Sequence, residues 1–153
     1  MEKQDLIRYF DEHLFLPDLK AKNKEDLLNE IVGQFVEHSY IKNKEIVLEM
    51  LNQREKLGST GIGKGIAIPH GRTTSAADVM IAFGKSTEGI DYEAVDGKPV
   101  HLVFMIIAPP QDEKNRYLPI LGLIVEILNK AKNRKKLMEI DNFIDFLDFL
   151  SEE

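Results

Sequence analysis

Apolar residues recur at three- and four-residue intervals over Leu27, Leu28, Ile31, Val32, Phe35 and Val36, a spacing that predicts an amphipathic helix with Asn23 as its N-cap. Ile46, Val47, Met50 and Leu51 repeat the pattern behind Asn43. They predict a second helix that carries Arg54 on its next turn and ends near Gly58. Leu118 to Leu128 returns to helical spacing, and a last amphipathic helix is expected after Asp141, burying Ile144, Leu147 and Leu150. Between these stretches the pattern changes. Leu14 to Leu16 reads as a short strand stopped by Pro17, and Val79 to Phe83 and Val100 to Ile107 read as further strands. The last of these is almost wholly apolar, so it is expected at the centre of a sheet, covered on both faces. Asp96-Gly97 marks the turn before it, and Pro109-Pro110 ends it. Alternating helices and strands predict an α/β domain, with residues 1–153 forming one unit free of internal repeats, linkers or low-complexity stretches.

Composition adds constraints. A chain of 153 residues with 43% hydrophobic content is long enough for one domain that buries roughly 68 to 70% of its unfolded surface. A net charge of -6 argues against a nucleic-acid partner, which would need a basic face. The locally basic run Lys130 to Lys136 is expected at the end of a helix, where cations suit the dipole and the solvent. Without cysteine there is neither a disulfide framework nor thiolate chemistry. The first residues, MEKQDLIRYFDEH, lack the apolar core of a signal peptide, and no apolar run approaches the length of a membrane span. A cytoplasmic protein with no direct membrane insertion is expected.

Candidate chemistry concentrates in Gly58 to Arg72, GSTGIGKGIAIPHGR. Glycines allow backbone N–H groups to approach an anion, which makes Gly58, Ser59, Thr60, Gly61, Gly63 and Gly65 a candidate phosphate-binding loop. Pro69 stiffens the chain before His70, whose imidazole can act as a nucleophile near neutral pH. The competing reading is a glycine-rich turn before a core strand, with His70 one of four ordinary histidines. Two phosphate motifs fail here. In a nucleotide-binding P-loop a Ser or Thr would hold magnesium where Gly65 stands, and the loop would follow a strand rather than a helix. In a dinucleotide fingerprint, Ile66 occupies the place of the third glycine.

The segments REKLGSTGIGKGIAIPHGR, Arg54 to Arg72, and DGKPVHLVFMIIAPP, Asp96 to Pro110, resemble the enzyme IIA domains of the bacterial phosphotransferase system, in the fructose/mannitol class that includes the nitrogen-regulatory IIA proteins. The resemblance extends to helix order over essentially the whole chain. It implies a mixed sheet with helices on both faces. It implies a phosphoryl carrier that accepts phosphate from a histidine phosphocarrier protein and passes it to a IIB partner, or signals to a regulatory target through its phosphorylation state. By the same resemblance His70 is the phosphorylated histidine and Arg54 the active-site arginine.

The residues suit that chemistry. Phosphoryl transfer depends on positioning and charge stabilisation, and Arg54 offers a planar fork of donors, although a helix-end arginine serving the dipole would look the same in sequence. No cofactor or metal is required, and Lys56 to Ala77 contains no Asp or Glu to hold magnesium. The chain departs from the family at Tyr117. It stands where relatives usually place a second histidine, in a pattern like HLxxLxxL that reads YLPILGLI here. A neutral phenol can donate a hydrogen bond to phosphate but cannot become cationic; equally, Tyr117 can be packing. His101 is expected to be structural, and His13 and His38 carry no motif. Two other functions stay open: a regulatory binding module with little onward transfer, or a scaffold of the same fold, as in the cytoplasmic domain of anion exchangers. A nucleotide-binding enzyme is disfavoured by Gly65. The sugar is not encoded, because IIA proteins do not bind it.

Overall fold

The computed structural model describes residues 1–112 and 114–152. After two 3-10 turns, Lys3–Tyr9 and Glu12–Leu14, the chain runs β1 (Phe15–Leu16), α1 (Lys24–Glu37), α2 (Lys44–Lys56), β2 (Gly61–Gly63), β3 (Ile66–Ala67), β4 (His70–Arg72), β5 (Met80–Ile90), β6 (Val100–Ala108), α3 (Tyr117–Leu128), α4 (Ala131–Glu139) and α5 (Phe143–Ser151). The strands make one mixed sheet in the order β1-β5-β6-β3-β2, with β4 also paired to β6.

The strand β6 is the spine. It pairs antiparallel with β5 on one side and parallel with β3 and β4 on the other. From Leu102 onward its alternating side chains feed two cores: Leu102, Phe104, Ile106 and Ala108 enter one, Val103, Met105 and Ile107 the other, which Val100 joins across a shift in the register with β5. The first core is closed by the Lys3–Tyr9 turn with α3, α4 and α5, and the second by α1 and α2. Helices therefore cover both faces, as the sequence implied.

The caps of α1 and α2 match the sequence. Asn23 Oδ1 accepts from Asp26 N at 2.8 Å, and Asn43 Oδ1 from Ile46 N at 3.1 Å. The turn before β6 is also as expected: Gly97 N donates to the Ala94 carbonyl at 2.9 Å, with Gly97 at φ 72°.

Other expectations are corrected. The helix α5 packs through Phe146, Phe149 and Leu150, whereas Ile144 is 73% exposed and Leu147 only partly covered. Phe146 belongs to an aromatic group with Phe10, Phe15, Phe83 and Phe143, and these bulky rings set the rotation of the helix. Ile46 is likewise exposed while Val47 and Leu51 are buried. The basic run Lys130 to Lys136 does not end a helix; it forms most of α4, which has its own buried anchor in Leu137. The strand expected over Val79 to Phe83 begins at Met80 and continues to Ile90 through the polar run KSTEG. That extension depends on Lys85, whose side chain is 3% exposed. Its ammonium donates to the Met138 and Ile140 carbonyls and pairs with Asp141 at 2.8 Å, tying β5 to the α4–α5 junction.

Candidate active site

β3 and β4 are one strand interrupted at Ile68 and Pro69. Ile66 pairs with Leu102 and His70 with Ile106, so the same offset of partners holds on both sides of the interruption. Pro69 has no N–H to give β6, but its carbonyl still accepts from Ile106 N at 3.0 Å, so the ladder resumes across it. Thr73 N donates to the Ala108 carbonyl at 2.8 Å. Residues 69, 71 and 73 therefore face β6, and by alternation the N–H groups of His70 and Arg72 point to the open edge of β4.

The helix α2 lies against that strand, which brings Arg54 beside His70. The two line a depression of about 530 Å³ together with Arg72 and Tyr117, rimmed by Met50, Leu57, Leu118 and Leu121. A larger depression of about 600 Å³ opens between the N-terminus and α3 and α4, but it holds no histidine and no arginine. Volume does not locate the chemistry; the imidazole does.

His70 is half-buried. Its Nδ1 lies 2.6 Å from the Ile68 carbonyl oxygen. A carbonyl only accepts, so Nδ1 carries the proton and Nε2 keeps its lone pair. The pKa of His70 falls below the ordinary histidine value, first because burial disfavours the cation; the Ile68 carbonyl opposes the shift and the Arg54 charge adds to it. The neutral, nucleophilic form therefore prevails at neutral pH.

Arg54 sits in the last turn of α2 and its Nη1 donates to the Gly58 carbonyl at 2.9 Å. It serves the helix end and lines the depression at once. Behind it, Glu55 turns the other way, into a buried polar knot. Its carboxylate, 7% exposed, accepts from Thr60 N at 3.1 Å and from the Thr60 hydroxyl, and pairs with Lys24 at 3.0 Å. Tyr92 Oη stands 2.8 Å from Thr60 Oγ1 and 3.3 Å from Glu55 Oε2. Burial, then the Glu55 charge, drives the Tyr92 pKa upward, so this phenol stays a donor. The knot fixes the path from Lys56 to Thr60, and so the carbonyl on which Arg54 rests.

The glycine loop is not where the sequence reading put it. None of Gly58, Ser59, Thr60, Gly61, Gly63 and Gly65 lines the depression. Gly58 N donates to the Glu55 carbonyl, Thr60 N to the Glu55 carboxylate and Gly61 N to Ser59 Oγ, so these donors are already used. Gly61 and Gly63 belong to β2, and Lys64 and Gly65, at φ 58° and 78°, form the two-residue turn of a hairpin with β3. A pattern that mimics a P-loop is thus a hairpin that braces the His70 strand.

Tyr117 opens α3, where Asp112 accepts from Tyr117 N at 2.7 Å and from Arg116 N. It is 6% exposed and packs into the first core, yet its ring centroid is 6.3 Å from that of His70. Packing and lining are both its position. Its pKa is pushed up to about 12 by burial, against the pull of Arg72 and Arg54. His101 is elsewhere, with Nδ1 2.9 Å from the Ser86 carbonyl, and His13 and His38 stack on each other at 4.1 Å. Among the described residues no group of three His, Cys, Asp or Glu side chains could hold a metal ion. On the His70 strand itself, the lining residues Gly71 and Arg72 were not singled out from sequence, although both stand in the quoted motif, two steps or fewer beyond His70.

This arrangement of sheet and helices is shared with solved IIA proteins of the phosphotransferase system. The chain belongs to the family described as phosphoenolpyruvate-dependent sugar phosphotransferase system, EIIA 2, which it matches over residues 8–153. It is 36% identical over 140 residues to the fructose-specific EIIABC component of Bacillus subtilis, covering 92% of this chain and 22% of that protein. The chain thus spans about a fifth of that relative's length. With a nitrogen regulatory protein of Bradyrhizobium diazoefficiens it shares 38% identity over 122 residues, 80% of this chain and 78% of the other. The crystal structure of nitrogen regulatory protein IIA-Ntr from Neisseria meningitidis superposes with a TM-score of 0.84 at 29% identity, covering 94% of this chain and 97% of that one. Mannitol IIA from Escherichia coli, at 23% identity and a TM-score of 0.74, has the same fold over 92% of this chain and 97% of its own. Among the described residues no helix is long and apolar enough to cross a membrane.

Proposed function

We propose that residues 1–153 act as a phosphoryl carrier in which His70 Nε2 is the acceptor. The observation that carries this reading is the Nδ1 contact to the Ile68 carbonyl, which leaves Nε2 unprotonated in a depression lined by Arg54. The Nε2 lone pair forms the new N–P bond while the P–N bond to the donor's histidine breaks, and the donor imidazole keeps that electron pair. The Nδ1 proton stays on His70, held by Ile68. Arg54 meets the charge on the equatorial oxygens, and the edge N–H groups of His70 and Arg72 are candidate backbone donors beside it. Among the described residues no acidic side chain lines the depression, which suits a phosphoryl group that must outlast its arrival.

The donor in this reading is a histidine phosphocarrier protein. The onward acceptor is a IIB domain; a solved complex of enzyme IIA and phosphorylated enzyme IIB for mannitol shares this fold. Relatives named nitrogen regulatory proteins support a second use of the same site, in which the phosphorylation state is read by a target protein. Tyr117, neutral where a cation would speed departure of the phosphoryl group, favours that use. Incubation with enzyme I, phosphocarrier and phosphoenolpyruvate tests the proposal. Wild type takes up an acid-labile, base-stable phosphoryl group and His70→Ala does not; equal labelling of both removes it.

A further inference from the structure

Arg72 is two residues beyond His70 on β4, so the two side chains leave the strand on the same side. Its guanidinium carbon stands 4.7 Å from the centre of the Tyr117 ring, whose centroid is in turn 6.3 Å from that of His70. All three line the depression with Arg54. Among the described residues no carboxylate lies within ion-pair distance of Arg72 or Arg54, so none of them neutralises either guanidinium.

The charge arithmetic needs this second cation. A bound phosphoryl group carries about one and a half to two negative charges at neutral pH. Arg54 supplies one positive charge, and Tyr117 supplies none, since a phenol is never cationic. An exposed arginine would ordinarily sample many rotamers and contribute little on average. Stacking on an aromatic face narrows that sampling, because the planar guanidinium rests on the ring quadrupole while its N–H edges stay free to donate.

We propose that Arg72 is a second phosphoryl-binding residue and that the ring of Tyr117, not its hydroxyl, is the shelf that aims it. The proposal rests on the reading of His70 as acceptor. It gives Tyr117 a positioning role that any flat aromatic ring fulfils and an aliphatic side chain does not.

Two measurements separate this proposal from the reading beneath it. The first is the rate at which His70 is labelled from the phosphocarrier. The second is the chemical-shift response of the His70 ring to inorganic phosphate, which requires no partner protein. Arg72→Gln slows labelling by about 10- to 100-fold, at or below the cost of one lost oxyanion-hole donor, and abolishes the phosphate response, with the thermal midpoint nearly unchanged. Tyr117→Phe stays within about threefold of wild type, as expected when the stacking face is kept. Tyr117→Leu slows labelling about fivefold in the wild-type background, the worth of an exposed cation–π contact, and adds nothing further to Arg72→Gln. Equal labelling and equal phosphate response in Arg72→Gln and wild type overturn the role of Arg72. An equal slowing by Tyr117→Leu in both backgrounds overturns the shelf. If wild type is not labelled at all, the carrier reading fails by itself, and the phosphate response of Arg72→Gln still decides whether Arg72 holds the anion.

Discussion

The sulfur of Met50 lies 1.9 Å from the point where a β-carbon on Gly71 would stand. Absence of a side chain at Gly71 lets α2 close onto β4, and that contact sets the distance between Arg54 on the helix and His70 on the strand. Gly71→Ala forces the helix outward or Met50 into another rotamer. The expected cost is about 1 to 3 kcal/mol of stability, typical of overpacking, with a fall in the rate of His70 labelling. Adding Met50→Ala frees the space and restores the rate more than the stability. Chemical denaturation and labelling rates on the single and double variants check this; a double variant as slow as Gly71→Ala would show that helix approach does not govern the site.

Arg54→Lys keeps the charge but loses the fork. Labelling of His70 is expected to slow by about 10- to 1000-fold, the range of one lost electrostatic donor. Stability changes by less than about 1 kcal/mol, because the contact given up in the fold is one exposed hydrogen bond to the Gly58 carbonyl. A folded Arg54→Lys protein that transfers at the wild-type rate would reduce Arg54 to a helix-end residue.

Glu55 never reaches the depression, yet it holds the loop on which Arg54 leans. Glu55→Gln replaces a charged acceptor of Thr60 and a partner of Lys24 with a neutral amide. A loss of about 1.5 to 3 kcal/mol is expected, as for hydrogen bonds to a charged group. Labelling slows as well, but only while Arg54 is present: in an Arg54→Gln background the Glu55 substitution has no further effect on rate. A slowing of the same size in both backgrounds would mean that Glu55 acts by some route other than the arginine.

The parts of the molecule legible in sequence are those whose causes are local. Asn23 and Asn43 cap their helices with their own side chains, and the apolar run of β6 announces a strand covered on both faces. Where two local solutions compete, tertiary contact decides. The helix α5 has apolar residues on two overlapping faces, and the aromatic group around Phe146 selects the one that leaves Ile144 in solvent. Lys85 defeats any reading by hydropathy, since a lysine 3% exposed is made tolerable by carbonyls more than fifty residues away. The site divides the same way. His70 and Arg54 stand out by type and motif, whereas Gly71 matters through Met50 and Arg72 through Tyr117, partners far off in the chain, and Glu55 through a knot that joins nearby Thr60 to distant Lys24 and Tyr92. The glycine loop misled because a hairpin turn and an anion cradle ask for the same residue.

The protonation of His70 couples the site to pH with a definite sign. Burial lowers its folded pKa below the unfolded value of 6.5, so the unfolded chain binds the proton more readily. Above pH 6.5 both states are neutral there and His70 adds no pH dependence. As pH falls through 6.5 the unfolded state gains a proton first. Stability therefore declines until the folded His70 also titrates, and levels off below that point. The same folded pKa governs the chemistry, since protonation removes the Nε2 lone pair. Labelling by the phosphocarrier is thus expected to hold its rate to below pH 6.5 and then drop with the midpoint at which the His70 ring signals titrate by NMR. His70→Gln abolishes that part of the stability profile without altering its alkaline side. A midpoint above 6.5 for His70, or a labelling rate that keeps falling where the ring is already neutral, would contradict the tautomer and burial argument on which the acceptor assignment stands.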